Sequence, residues 1–492
     1  MYFSKFIPII MLSAALSVPY LAQAQSAFEV SGWIPYWRSE AGVAAILPEL
    51  DQFTEVNPFM YTVKQDGTLH QASSLTSAEW MELRVAAKEK GIRFIPTVMW
   101  SGSDAIHETL SDPVKRQAHV QAIAQQVFAY NLDGIDIDYE AKYARTRDAF
   151  SAFLKELQEA IGYNKWVMCT VESRTPLDSR YSSPESIPAG IEYSNDFTAI
   201  NQHCDRVRIM AYDQGRIDLK LNNANEHPYI PVADVDWVRK TIELIAEEVD
   251  KDKLVIGVPT YGYEYDMFQD ESGITRYSRL WSFNPGYADE VAQKLNLTPT
   301  RSGSGELMLT YPARDSIDPA IPLPEATRVM SWSDAQAIQE KAALAEELGV
   351  RGIALFKIDG GEDPALRGVL AEYAGSKLYA KTSSATLAEA RAAETGSSSG
   401  NTESFTLPDR NLSYGAVHED VRQLQKFLNE TGFTVAESGG GSPGNETTFF
   451  GPATTRALAR YQAANGISPA IGYYGPITRA TIQSAYNTLA FR

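Results

Sequence analysis

The amino-acid sequence predicts an α/β fold: a (β/α)8 barrel with a small α+β insertion between its seventh and eighth strands, followed by a small three-helix C-terminal domain. Three observations lead there. Eight short runs rich in β-branched and aromatic residues alternate with helical patterns, as parallel strands alternate with helical crossovers. No glycine-rich phosphate loop follows the first run, which argues against an open doubly wound sheet. The 492 residues are 44% hydrophobic and 22% charged, an ordinary globular mix that leaves room for one large barrel plus a small unit.

The chain opens with Lys5, an apolar run from Phe6 to Leu21, and Ala22-Gln23-Ala24, the small-x-small pattern that a signal peptidase accepts. A signal peptide is therefore expected over 1–24, with an exported chain beginning near Gln25. The run is short of the ~20 residues a spanning helix needs, and Pro8 and Pro19 interrupt it, so no membrane insertion is expected. No cysteine stands near the cleavage site to carry a lipid.

The barrel is expected over 26–375. Its strands read Phe28–Ile34, Thr54–Thr62, Arg93–Met99, Leu132–Tyr139, Trp166–Glu172, Arg206–Tyr212, Leu254–Thr260 and Arg351–Lys357. Between them lie helical patterns such as Ser77–Lys90, Asp112–Tyr130, Arg147–Ile161, Val235–Val249 and Ser333–Leu348. Gly91 and Gly349 stand where helix C-caps are expected. The gap between the last two strands is far longer than the roughly 30–45 residues a loop and helix require. The surplus, 264–328, has its own helix (Tyr287–Leu295) and strand-like runs (Glu306–Tyr311, Thr327–Trp332), and is read as an α+β insertion on the barrel rim.

Beyond a last barrel helix, Pro364–Tyr373, composition shifts to small polar residues, and 376–411 is expected to be a flexible linker. Residues 412–492 contain an echo. Phe449-Phe450-Gly451-Pro452-Ala453-Thr454 returns as Tyr473-Tyr474-Gly475-Pro476-Ile477-Thr478, each copy an aromatic pair, a Gly-Pro turn and a Thr-capped helix. Val421, Leu424, Phe427 and Leu428 line one face of a helix starting near Glu419.

Composition excludes several functions. The net charge of −18 disfavours nucleic acid, whose phosphates need a basic footprint. Two cysteines rule out a disulfide scaffold or a cysteine-rich zinc site, and six histidines show no helical ligand spacing, so neither metal nor other cofactor is expected. Cys169 and Cys204 either pair in an oxidising compartment or are two small buried thiols in neighbouring strands.

The chemistry lies on the fourth strand, Leu132-Asp133-Gly134-Ile135-Asp136-Ile137-Asp138-Tyr139-Glu140. Strand side chains alternate faces, so Asp136, Asp138 and Glu140 share one face while Ile135, Ile137 and Tyr139 share the other. The apolar set must meet the helices, which turns the acids into the lumen. Adjacent enclosed carboxylates cannot all ionise, so a merely structural strand would carry valine or isoleucine there. Acids held at such cost mark a functional site.

Asp133-Gly134-x-Asp136-x-Asp138-x-Glu140 resembles the DGxDxDxE motif of family 18 glycoside hydrolases, the chitinase-like TIM barrels. Met210-Ala211-Tyr212-Asp213 resembles the family's MxYD, and Gly257-Val258-Pro259-Thr260-Tyr261-Gly262 its GxPxYG. The resemblance spans about 28–375 and implies substrate-assisted hydrolysis. By it, Glu140 protonates the glycosidic oxygen and the substrate's 2-acetamido carbonyl attacks the anomeric carbon. Asp138 holds the acetamide N–H and shares charge with Asp136. Tyr212 donates to the acetamide oxygen, and Asp213 lines the pocket. Phe356 stands where the family commonly has tryptophan, which implies altered substrate preference. Trp37, Tyr61, Trp100 and Tyr261 at strand ends, with Met210, are the expected further substrate contacts.

The tail resembles the three-helix peptidoglycan-binding domain, through Val421-Arg422-x-Leu424-Gln425-x-Phe427-Leu428, Phe450-Gly451-Pro452 and Tyr474-Gly475-Pro476. Together the resemblances imply an exported, monomeric, retaining hydrolase of β-1,4-linked N-acetylglucosamine glycans, peptidoglycan first and chitin as the alternative, secreted or wall-associated. A non-hydrolytic lectin is the reading from another class. Lectins of this kind typically lose the acid that stands here as Glu140.

Overall fold

The computed structural model describes residues 28–373 except 318–322 and 324, and most of 410–482. The expected signal peptide and nearly all of the expected linker lie outside the described residues.

Eight parallel strands close into a barrel: Glu29–Ile34, Glu55–Val63, Thr97–Trp100, Gly134–Tyr139, Trp166–Glu172, Arg206–Met210, Leu254–Pro259 and Gly352–Phe356. The first pairs with both the second, Ser31 opposite Glu55, and the eighth, Glu29 opposite Gly352, which closes the ring. The expected third strand is interrupted. Arg93–Phe94 and Thr97–Trp100 are separate because Pro96 has no N–H for the ladder. Gly134 lies against the fifth strand so closely that a Cβ there would sit 2.2 Å from the Trp166 carbonyl oxygen.

The helices form where the sequence places them, Ala78–Lys90, Pro113–Ala129, Arg147–Ile161, Val235–Ile245 and Ala335–Leu348. Gly91 and Gly349 end two of them in the left-handed conformation, φ 70° and 68°. Ile34, Val56, Ile135, Ile137, Val207 and Ile256 pack outward onto these helices in one continuous core. Val255 and Ala354 join Trp33 and Phe59 in a smaller apolar layer inside the barrel.

The insertion is larger than expected. It is a five-stranded antiparallel sheet whose hairpin, Gly262–Gln269 with Thr275–Phe283, begins directly after the seventh strand. Thr327–Trp332 pairs with Gly262–Gln269 on one side and Leu307–Pro312 on the other. The helix Pro285–Leu295 packs Ala288 and Val291 against Phe283, Met330 and Trp332.

In the tail, Glu419–Glu430 and Pro452–Ala464 are helices around a core of Val421, Leu424, Phe427, Phe450, Leu458 and Tyr461. The region of the third expected helix lies largely outside the described residues. The echo has a structural cause other than helix capping. Gln425 Nε2 donates to the Phe449 carbonyl (3.0 Å) and Thr454 Oγ1 (2.8 Å). Gln462 Nε2 donates to the Tyr473 carbonyl (2.7 Å) and Thr478 Oγ1 (2.8 Å). Each threonine thus receives a buried glutamine from another part of the module.

Candidate active site

The side chains of Asp136, Asp138 and Glu140 enter the lumen from the fourth strand, as the interleaved Ile135 and Ile137 require. Asp136 lies deepest and is fully buried. It accepts from Trp33 Nε1 (2.9 Å), Thr97 Oγ1 (2.8 Å) and Thr170 Oγ1 (2.9 Å), and Arg208 lies 3.1 Å away. Burial pushes its carboxyl up, and the three donors partly counter this. Beneath it, Glu55 pairs with Arg93 and Arg208, while Glu29 is bound by Arg93, Arg206 and Arg351. Burial works to raise Glu29, but the three guanidiniums hold its carboxyl far below the usual carboxylate range.

Asp138 is also enclosed, and its Oδ1 has no hydrogen-bond partner among the described residues. Burial, then the charges of Glu140, Asp136 and Glu172, push its carboxyl well up. Glu140 reaches the mouth of the barrel and is only partly buried. Burial raises it too, with further upward contributions from Glu172 and Asp213 and a downward one from Lys142. The layout is a vertical row of carboxyls, each raised by burial: the lowest is held by three donors and a guanidinium, and the upper two are raised further by neighbouring carboxylates.

Tyr212 stands opposite. It is 9% exposed, and burial together with Asp138, Asp213 and Glu140 raises its hydroxyl well above the usual value, so it is a donor throughout the physiological range. Its ring stacks on Phe356 at 5.4 Å and 13°, and meets Tyr261 edge-on at 6.4 Å. Tyr261 donates its hydroxyl to Asp213, which adopts the left-handed conformation at φ 58°. Met210 lies partly buried at the end of the sixth strand, on the lumen face it shares with Arg208. Trp37 is 51% exposed at the rim, its ring 6.3 Å from that of Phe59.

Two of the expected rim aromatics lie elsewhere. Trp100 is in register with Tyr139 and therefore shares the outward face, packed 5.3 Å from both the His119 and Tyr139 rings. Tyr61 follows a register shift between Phe59 and Tyr61, pairs with Val98, and is buried on the helix side against Gln126. Met99 and Phe59 take the inward positions in their place. Cys169 and Cys204 are joined as a disulfide across a Cα separation of 5.9 Å; Cys204 follows the helix Phe197–His203 and does not lie in a strand.

Residues 31–361 match the model of glycosyl hydrolases family 18, well over half of the chain. The chain belongs to that family. Residues 417–482 match the model of the putative peptidoglycan binding domain. Over 251 residues the chain is 24% identical to the cortical fragment-lytic enzyme of Bacillus subtilis, covering 51% of this chain and 52% of that protein. It thus spans about half the length of that curated relative. Among solved structures, it is similar to the spore cortex-lytic enzyme SleL of Bacillus cereus, with TM-score 0.55, 19% identity, and 71% and 75% of the two chains covered. A class V chitinase from Pseudomonas fluorescens Pf-5 has TM-score 0.56, 23% identity, and 70% and 99% covered. The family barrel here has site residues that the sequence reading did not single out: Trp33, Phe59, Arg208, Glu55, Glu172 and Lys142. For Trp33, Glu55, Phe59 and Arg208 a signal was available, since Glu29/Ser31/Trp33, Glu55/Asn57/Phe59 and Arg206/Arg208/Met210 follow the same alternation that identified the fourth strand.

Proposed function

We propose that this family 18 glycosidase is exported and hydrolyses β-1,4-linked N-acetylglucosamine glycans, peptidoglycan foremost, with retention and through the substrate's own acetamide. The observation that carries this reading is the enclosed Asp138, whose Oδ1 has no partner among the described residues and whose charge acts on the Tyr212 hydroxyl. An acetamide fits such a pair: its N–H satisfies Asp138 while its carbonyl oxygen takes the Tyr212 hydroxyl. That grip turns the carbonyl oxygen onto the anomeric carbon. Glu140, whose hold on its proton is strengthened by burial and its acidic neighbours, delivers that proton to the leaving oxygen. A ring-fused oxazolinium then forms, Glu140 takes a proton from water, and the water opens the ring from the face the leaving group left. Phe356, Tyr261, Met210 and Trp37 supply apolar surface for the sugar faces.

Peptidoglycan is favoured over chitin by the peptidoglycan binding domain on the same chain. Export accords with the N-terminal sequence and with the Cys169–Cys204 disulfide, a bond that persists in oxidising compartments. The test is to incubate the protein lacking residues 1–24 with purified peptidoglycan and, separately, with chitin oligomers, and to identify the new reducing ends. New N-acetylglucosamine ends from peptidoglycan are expected; ends from chitin alone would overturn the wall substrate.

A further inference from the structure

The backbone around Glu140 is held from both sides by a charged pair outside the family motif. The turn that follows Glu140 passes through Ala141 in the left-handed conformation, φ 55°. Ala141 N–H donates to Glu172 Oε1 at 2.7 Å, from the end of the neighbouring fifth strand. On the other side of Glu140, the Tyr139 carbonyl accepts from Lys142 Nζ. Lys142 has a wholly buried side chain, lies 3.6 Å from Glu172 Oε2 and 4.6 Å above the Phe150 ring. Asn195 Nδ2 donates to Glu172 Oε2 at 3.2 Å and fixes that carboxylate in turn.

We propose that Glu172 and Lys142 form a paired positioning device for Glu140, clamping the peptide on each side of it and balancing the charge it faces. Sterics alone do not ask for this pair. A lysine with no exposed side-chain surface is costly unless paired, and removing one partner leaves a buried charge uncompensated. The groups that face Glu140 are Asp138 from its own strand, Lys142 from the turn beyond, Glu172 from the fifth strand, and Tyr212 and Asp213 beyond the sixth. Glu172 and Lys142 act on it with opposite sign. Burial works to raise Glu172, yet Lys142, the Ala141 N–H and Asn195 outweigh it and hold the carboxylate ionised. Its negative charge keeps the Glu140 proton on, and Lys142 limits that effect.

The inference rests on Glu140 being the acid, so its test includes Glu140→Gln. Glycan hydrolysis by the full chain is followed against pH for wild type, Glu172→Gln, Lys142→Gln and the double variant. Glutamine at 172 retains an oxygen for the Ala141 N–H and removes the charge, and its NH2 replaces the oxygen that accepts from Asn195 Nδ2. Glu172→Gln is expected to move the alkaline limb of kcat to lower pH by roughly 0.5–1 unit. Lys142→Gln is expected to move it higher, and the double variant to return it toward wild type, with KM within about twofold throughout. A purely structural pair would lower kcat or stability and leave the limb in place. An unmoved limb, or shifts of the same sign in both single variants, overturns the proposal. Should Glu172→Gln not fold, the Lys142→Gln shift alone decides, an upward move supporting the pair and any other result overturning it. Activity persisting in Glu140→Gln would sink the underlying reading and this inference with it, whereas an inactive Glu140→Gln with unmoved limbs removes the inference alone.

Discussion

At the scale of single residues, the site stores unfavourable free energy. Asp138 has its carboxyl enclosed with one oxygen unpartnered among the described residues, and burial plus three neighbouring carboxyls drive its proton affinity up. A group whose folded value is raised lowers stability as pH rises from its unfolded value toward the folded one. Asp138→Asn is therefore expected to stabilise the protein at pH 7 by about 1 kcal/mol or more, with the gain shrinking as pH falls toward 4, while turnover is lost. Denaturant unfolding of both proteins at several pH values checks this; a variant less stable at pH 7 contradicts it. Glu140→Gln is expected to keep fold and ligand affinity and to lose at least about 10³-fold in kcat, the range of a general acid. In the proposed mechanism Glu140 acts as the acid, so wild-type turnover should fall as pH rises through its raised value. The fourth-strand acids were legible from alternation alone, since Ile135 and Ile137 leave them no other face. Their partners were less legible because Trp33, Arg208 and Glu172 come from three other strands, and only closure of the ring brings them to Asp136 and Glu140.

At the scale of elements, parity decides which aromatics see the lumen. Trp100 pairs with Tyr139 and Met99 with Asp138, so counting in twos from the acids would have turned Trp100 outward. Tyr61 follows a register shift, a local event that alternation does not announce. The hairpin Gly262–Gln269 with Thr275–Phe283 was hidden for another reason. Its strands bury Glu264 and Asp266, which reads as surface until Arg328 arrives from a strand far along the chain to pair with both. The disulfide belongs to this scale also. It ties the fifth strand, which carries Thr170 and Glu172, to the end of the helix Phe197–His203 across a sequence separation of 35. Replacing both Cys169 and Cys204 with alanine is expected to cost about 2–4 kcal/mol in unfolding free energy. A double variant as stable as wild type under oxidising conditions would contradict the bond's contribution.

At the scale of the whole molecule, a family 18 barrel and a module matching the peptidoglycan binding domain model are joined in one chain. Both were legible, the barrel from its eight strand–helix units and the module from its echo. The buried glutamine that explains each copy of the echo was not, because Gln425 and Gln462 are distant in sequence from the threonines they bind. Under the proposed function, joining raises the concentration of polymer at the cleft without adding a contact there. Deleting 412–492 is expected to lower the initial rate on insoluble peptidoglycan by roughly tenfold or more and to leave kcat/KM on soluble oligosaccharides within about twofold. Equal losses on both would mean that the module serves the barrel's stability instead.

The central claim is that inward-facing acids make the sugar's acetamide the nucleophile. It is tested most directly by following the anomeric signals of the first product in proton NMR, on a glycan with intact acetamides and on its de-N-acetylated counterpart. The account predicts β-anomer first from the acetylated glycan, mutarotating to α later, and no hydrolysis of the other. An α-anomer formed first, or comparable cleavage of the de-N-acetylated glycan, would contradict it.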